Sequence, residues 1–528
     1  MSPQGPGQAP LPPPDAASTT TGASLIGGGA WRLASMLLPQ GTNVVLSIAI
    51  ARMLGPPDFG RQSFIAFAAL STMTLLSAGL GDALMRYGAE FLGRGEGPTV
   101  RRLVAWTAWI QLAGAAVGGG ALALVGVLGA EPAAAWQLAG LATALAIMQG
   151  VPNAALMGAQ RFREASVIGL ITNLIAVPST IAVVASGGGV IGIFAVEAAV
   201  AAVNLGWTVV VARRALPRVA SESDISAEEW RAPFLRFAAF TTVEALLALI
   251  VWRRSEFFFL NAYSTDTQIG FYSIAFAGVT ALSLIPQTLA FTVSPAFATL
   301  LGAGDWARIR AGYGRTLRLL TLGTLPLAAG AIALGPAAIE LAYGKNYSEA
   351  GTVLLVMLAL LPLLPLYSAS ASLLTGLGRA LAPMLLTAIA AAVNLGLDFL
   401  FIPRWDAIGA AAASTAAQVV VMGPIVVHAM RLAGGVRLHA NELLRAALAS
   451  VASGASAWAI WLALGGAAGL LLGLLAGAAV FALLAAIFRI LPAEDAEWLE
   501  GAAGARLGGL VGRGCRILAS ASTASVSS

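Results

Sequence analysis

The chain has 528 residues, of which 58% are apolar and only 10% are charged, where a soluble domain carries about 25% charged residues; a soluble enzyme or binding module is excluded. The net charge of +5 is scattered with no basic patch, which argues against nucleic acid as a partner. One cysteine, Cys515, rules out a disulfide framework and a cysteine metal site, and two histidines, His428 and His439, are too few for a histidine metal centre, so no metal and no cofactor is expected.

From the N-terminus, Met1 to Gly22 is polar and Pro-rich, without a cleavable signal pattern, and a disordered cytoplasmic tail is expected over 1–23. Long apolar runs then predict an all-α polytopic membrane protein of about fourteen transmembrane helices, since each such run is long enough to cross the hydrocarbon. They lie near 28–51, 62–82, 103–129, 134–157, 165–185, 189–212, 237–262, 269–300, 316–343, 350–374, 380–402, 407–430, 444–464 and 467–490. Pro39-Gln-Gly41 should bend the first. Gly114-x-x-x-Gly118 in the third is a spacing that lets helices pack closely in lipid. The longest polar interruption, 213–236, holds Ser226-Ala-Glu-Glu229, which fits a capping box. Trp230, Phe234 and Phe237 follow on one side, so a surface helix feeding the seventh span is expected there.

Charge sets the orientation. Of the basic residues, 23 fall in loops after even-numbered spans or in the C-terminal tail, and 4 (Arg52, Arg61, Lys345 and Arg404) in loops after odd-numbered spans. Basic residues favour the cytoplasmic side, so both termini and the 213–236 loop should be cytoplasmic.

Four short matches recur in the same order. Phe59-Gly-Arg-Gln-Ser63 pairs with Ile269-Gly-Phe-Tyr-Ser273 at an offset of 210, and Leu92-Gly-Arg-Gly-Glu96 with Leu301-Gly-Ala-Gly-Asp305 at 209. Gly158-Ala-Gln-Arg161 pairs with Gly376-Leu-Gly-Arg379 at 218, and Ile191-Gly192 with Ile408-Gly409 at 217. The offset spans six helices, an even number, so the copies run parallel, with a substrate path expected between them. The expected organisation is a six-helix bundle over 24–212, a linker over 213–236, a second six-helix bundle over 237–432, two extra helices over 433–490, and a cytoplasmic tail over 491–528.

Ala51-Arg-Met-Leu-Gly-Pro-Pro-Asp-Phe-Gly60 resembles the first-loop signature of the polysaccharide transport family of the multidrug/oligosaccharidyl-lipid/polysaccharide exporter superfamily. Ser77 through Tyr87 and on to Gly93, Gly270-Phe-Tyr-Ser-Ile-Ala275, and Asn394 through Pro403 followed by Ile408-Gly-Ala-Ala411 are similar to later parts of that pattern. The resemblance covers roughly 28 to 432. It implies a flippase, like those for O-antigen or lipid II, that moves a polyprenyl-pyrophosphate-linked oligosaccharide across the bacterial plasma membrane by alternating access. Partners implied are the lipid-linked oligosaccharide, membrane lipids, a polysaccharide polymerase and glycosyltransferases.

Such a substrate needs cationic groups in a wet cavity. Charges inside spans cost about 2.5–3.5 kcal/mol on insertion scales and so mark functional candidates. Arg253 and Arg254 are the sharpest, with Glu256 on the same helix face as Arg253 and, by the resemblance, where the family usually has Asp. The bland alternative is an arginine pair reaching the outer interface, with Glu256 as counter-ion. Arg32 at the start of the first span is a pyrophosphate contact or a headgroup anchor. Arg86 is a substrate contact or an i,i+4 partner of Glu90. Glu197 and Glu244 are candidates for ion coupling or bonds to a neighbouring helix. Asn173, Asn204, Asn394, Gln149, Asn153, Gln287 and Gln418 line a sugar path or join helices.

Two other classes compete. A cation-coupled multidrug exporter of the same superfamily would share the repeat but present an acidic cavity. A membrane sugar polymerase or glycosyltransferase would need outer loops with clustered carboxylates or His; every outer loop is short and none has them. No nucleotide-binding or catalytic motif stands out, so the protein is not expected to be an enzyme.

Overall fold

The computed structural model describes residues 41–216, 226–252, 255–379, 381–436 and 440–502. The expected tail over 1–23, Arg32, Pro39, Arg253 and Arg254 lie outside them. The apolar runs fold as helices because, in hydrocarbon, a backbone without water must bond within its own segment. In chain order they are α1 Gly41–Leu54, α2 Pro56–Gly93, α3 Gly97–Val127, α4 Ala133–Gly158, α5 Phe162–Ala185, α6 Gly189–Ala215, α7 Ala227–Trp252, α8 Glu256–Tyr263 and α9 Asp266–Gly302. Then follow α10 Trp306–Tyr343, a 3-10 turn Lys345–Tyr347, α11 Ser348–Leu358, α12 Leu364–Gly376, α13 Leu381–Leu432, α14 Ala440–Leu464, α15 Gly466–Phe488 and α16 Ala493–Ala502.

Ten of these are long and apolar enough to cross a membrane, or eleven with α2, which bends by 43° between Ser77 and Gly79. The sequence predicts about fourteen, and the difference has three local causes. The first expected span is described only from Gly41. The tenth is broken between α11 and α12, where Pro362 and Pro365 remove backbone donors. The eleventh and twelfth run together as α13, whose 52 residues kink at Asp406 (φ 48°).

Helix boundaries follow local chemistry. Gly55, at φ 78°, separates α1 from α2, and Pro56 opens α2 at a position where its missing N–H costs nothing. The capping box is present: the Ser226 N–H donates to Glu229 Oε1 at 3.3 Å, and the Glu229 N–H to the Ser226 carbonyl at 3.3 Å. No break separates it from the membrane; α7 runs from Ala227 to Trp252, so the expected surface helix continues straight into the first part of the seventh span, and the last part of that span is α8. Trp230 and Phe234 are buried against Tyr87 and Trp106, which holds the start of α7 onto α2 and α3.

The glycines that repeat in sequence also repeat in packing. A Cβ on Gly158 would lie 2.9 Å from the Met85 carbonyl oxygen, where the end of α4 crosses α2. A Cβ on Gly376, 218 positions later, would lie 2.6 Å from the Ser294 carbonyl oxygen, where the end of α12 crosses α9. Gly192 closes on Val183 at the turn into α6, and Gly409 on Phe401 at the equivalent turn within α13. In α3, Gly118 leaves room for Leu76 and Thr72 of α2.

At the other end of the chain α14 packs on α10 and α15, and α16 closes over their arginine-rich end. Asp495 of α16 is fully buried. Arg318 of α10 donates to both its carboxylate oxygens at 2.8 and 2.9 Å, and Arg315 adds a bond at 3.0 Å.

Candidate functional site: a hydroxyl-lined cavity and a buried acid pair

A cavity of about 840 Å³ lies between α2, α7, α9, α12 and α13. Its polar lining comes from two helix faces. On α9, Thr280, Ser283, Gln287 and Ser294 recur at three, four and seven residues, which places them on one side of the helix. On α12, Ser368, Ser372 and Thr375 do the same, and α13 adds Gln418. Ser372 Oγ donates to the Ala290 carbonyl at 2.6 Å, tying the two faces together, whereas the buried Ser368 hydroxyl has no hydrogen-bond partner. Phe67, Leu70, Phe276 and Tyr367 supply apolar and aromatic wall. None of the described residues lining it is charged. This lining can bond hydroxyl-rich groups and hold ring faces.

One end of this space is shut. At the arginine-poor end α2 and α9 cross so closely that a Cβ on Gly60 would overlap the Asp266 carbonyl, and one on Gly270 would lie 2.9 Å from the Pro56 carbonyl. These are the two glycines paired by the sequence repeat. Arg61 Nε donates to Asp266 Oδ2 at 2.7 Å across the same crossing. Beside it the Arg52 guanidinium donates to the Leu341 and Ala342 carbonyls, and the buried Tyr347 hydroxyl donates to the Ala51 carbonyl at 2.8 Å.

Beyond the cavity wall two carboxylates are buried together. Glu256, the first residue of α8, and Asp398 of α13 are almost without exposure. Between them the Asn394 amide Nδ2 lies 3.3 Å from Glu256 Oε1, 3.3 Å from Asp398 Oδ2, 3.1 Å from Ser255 Oγ and 3.3 Å from the Ile250 carbonyl. Asn394 and Asp398 are four apart and so share a helix face. Tyr272 and Ser414 adjoin Glu256. Glu256 Oε2, Asp398 Oδ1 and Asn394 Oδ1 have no hydrogen-bond partner, and no basic side chain among the described residues forms an ion pair with either acid. Burying such oxygens unpaired is costly. A proton shared by the two acids would satisfy two such oxygens, and a small monovalent cation is the other kind of group that such acceptors hold. No group of three or more His, Cys, Asp or Glu suited to a metal occurs among the described residues.

The sequence candidates therefore separate. Glu256 faces Asn394 and Asp398, a partnership the sequence reading missed; it placed the acidic role beside Arg253 and Arg254. Arg86 does not pair with Glu90. Glu90 is taken by Arg94 at 2.5 Å, and the exposed Arg86 guanidinium lies 4.5 Å from the Phe237 ring and 5.5 Å from the Tyr87 ring. An i,i+4 partner was equally available in the other direction, and flanking aromatics held Arg86. Glu197 on α6 and Glu244 on α7 are exposed, and neither forms a hydrogen bond with Glu256 or Asp398. Glu244 is one turn before Ala248, which lines the cavity. Among the amides, Gln287 and Gln418 line the cavity. Gln149 donates to Asn204 at 3.0 Å, Asn204 to Thr172 at 3.3 Å, and Asn173 accepts from Thr42 at 3.3 Å, so these join helices. The signal that could have found Asp398 was an acid four residues from an amide inside an apolar run.

Residues 49–352, more than half of the chain, match the family described as polysaccharide biosynthesis protein. Among solved structures, the lipid II flippase MurJ in an inward closed conformation is similar with a TM-score of 0.66, covering 86% of this chain and 97% of that one at 15% identity. A multidrug resistance MATE family transporter of the MOP superfamily is similar in its inward-facing conformation with a TM-score of 0.57, covering 74% and 94% at 15% identity. An outward-facing one gives 0.51, covering 76% and 93% at 13% identity. At these identities the likeness is one of fold. No curated protein matches the sequence. A multi-pass helical membrane protein with paired glycine crossings and a central cavity, the chain belongs to the polysaccharide biosynthesis protein family and has the fold seen in MurJ and the MATE transporters.

Proposed function

We propose that the protein is a flippase that moves a polyprenyl-pyrophosphate-linked oligosaccharide across the plasma membrane by alternating access, for cell-surface polysaccharide synthesis. The observation that carries this reading is the neutral, hydroxyl- and amide-lined cavity shut at one end by Gly60 and Gly270. Sugars offer many hydroxyls and few charges, which such a lining matches, while the lipid tail can stay in hydrocarbon. In this reading the chain makes fourteen spans with both termini cytoplasmic, the 24–212 and 237–432 bundles rock against each other, and 213–236 tethers them. Arg32, Arg253 and Arg254 contact the pyrophosphate, with Arg86 at the cytoplasmic end. Glu256 and Asp398 hold the coupling proton or cation, with Glu197 and Glu244 as further candidates. A polymerase and glycosyltransferases would act on either side of the step.

The test is deletion of the protein followed by measurement of lipid-linked sugar in each leaflet. Accumulation on the cytoplasmic leaflet, reversed by the wild-type chain, supports the reading; unchanged distribution contradicts it.

The acid pair supports one other reading, a cation-coupled drug exporter. An exporter of organic cations would want carboxylates in the cavity wall, and none stands among the described residues that line it. Proteoliposomes that accumulate organic cations but leave lipid-linked sugars unmoved would decide for it.

A further inference from the structure

A second cavity, of about 770 Å³, is separated from the first by α2 and α7. α2 turns Ala66, Phe67 and Leu70 to the central space, but Phe64, Ala68 and Leu75 to this one. α7 turns Ala248 to the first and Leu246 and Leu249 to the second. The crevice has two kinds of wall. Its rim, at the arginine-poor end, is polar: Arg61, Glu131, Asn261 and Asp266. Below the rim Leu75, Leu122, Val125, Leu246 and Leu249 make an apolar slot. From Arg61 to Leu75 along α2 is about 21 Å at about 1.5 Å per residue, more than the half-thickness of about 15 Å that one leaflet's hydrocarbon occupies. The slot is therefore deep enough for an acyl chain.

The rim charges select a headgroup. Arg61 spends one donor on Asp266 and one on Asp58, leaving others of the five on its guanidinium. Among the described residues of the lining Arg61 is the one cation; it pairs with Asp266 and with Asp58 beside the rim, and Glu131 adds a third carboxylate to this end of the crevice. A headgroup that is only anionic meets one favourable charge and three unfavourable ones. A headgroup with a phosphate and a primary ammonium meets a partner for each.

We propose that this crevice is a lipid site that holds one acyl chain of a zwitterionic phospholipid, phosphatidylethanolamine in chemistry, with its phosphate at Arg61 and its ammonium at Glu131. The site is assembled from both sides of the Arg61–Asp266 crossing, α2 and α3 on one and α7, α8 and Asp266 on the other. It exists in this form only while that end is closed, so a bound lipid favours the closed form. That consequence rests on the alternating-access reading; the binding itself does not.

The experiment is native mass spectrometry of the purified full chain, titrated with phosphatidylethanolamine or phosphatidylglycerol of the same acyl chains. The wild type should retain one phosphatidylethanolamine at least tenfold more tightly than phosphatidylglycerol. Glu131→Gln, on the exposed rim, should reduce that preference at least fivefold without changing lipid-free thermal stability. Ala121→Trp, which fills the slot, should weaken phosphatidylethanolamine binding at least tenfold. Equal or tighter phosphatidylglycerol binding, or a Glu131→Gln chain with the wild-type preference, overturns the proposal. Because no transport is measured, a failed flippase reading leaves these outcomes unchanged.

Discussion

At Gly60 the α2 backbone meets the Asp266 carbonyl with no room for a side chain, so one carbon decides whether the arginine-poor end can close. Gly60→Val should open it: a cysteine placed at Thr265 in the Cys515→Ser background should react with a membrane-impermeant maleimide at least fivefold faster than with Gly60 intact. An unchanged rate would mean that this crossing does not hold the closure. The acid pair carries a second expectation. Glu256→Gln or Asp398→Asn removes a negative charge while keeping the shape, so folded protein should persist, lipid-linked sugar transport should fall at least tenfold, and its dependence on the driving ion should flatten. Wild-type ion dependence in both variants would remove the pair from coupling. Glu256 was legible in the sequence as an intramembrane charge, the same rule that singled out Glu197 and Glu244. Its partner was not, because Asp398 lies 142 positions away and only the fold brings α13 onto α8. The hydroxyls of α9 and α12 were passed over for a related reason. Serine and threonine in spans commonly bond their own helix, as Ser370 does to the Leu366 carbonyl at 2.6 Å, and sequence does not distinguish those from hydroxyls that line a space.

Among the elements, α16 shows what a short polar helix can do at the membrane edge. Its Asp495 lies buried between Arg315 and Arg318, and the Arg315 guanidinium lies 5.2 Å from the Trp498 ring. Leu491 and Ala496 pack with Leu322, Ala446 and Ala485, so the helix fastens α14 and α15 to α10. Removing one partner of a buried ion pair typically costs about 3–5 kcal/mol, whereas replacing both by apolar groups is often near neutral. Asp495→Asn should therefore lower the thermal midpoint of the purified protein, and Arg318→Met with Asp495→Leu should recover much of the loss. A double variant no better than the single would mean that α16 is held by its apolar side instead. The sequence reading left 491–528 as a tail, since ten residues with four acids carry no spanning signal; the partner arginines were counted only for orientation. The spans themselves were legible wherever an apolar run met a polar stop. They blurred where proline broke a run, as between α11 and α12, or where a turn was too tight to interrupt the helix, as at Asp406.

For the whole molecule, glycines that match in sequence make like contacts. Gly158 of α4 packs on α2 and Gly376 of α12 packs on α9, at the sequence offset of 218, and Gly60 meets Gly270, matched to it in sequence, across the closure. If the proposed function holds, this closure must open and shut for a lipid-linked glycan to cross. Pro57→Cys and Thr265→Cys flank it, in a Cys515→Ser background, within proteoliposomes carrying a fluorescent polyprenyl-pyrophosphate oligosaccharide. Oxidation should join the two cysteines and stop flipping, and reductant should restore it to the rate of the uncrosslinked protein. A crosslinked protein that flips the glycan at the unlocked rate, or an unlocked one that never flips it, would contradict the account.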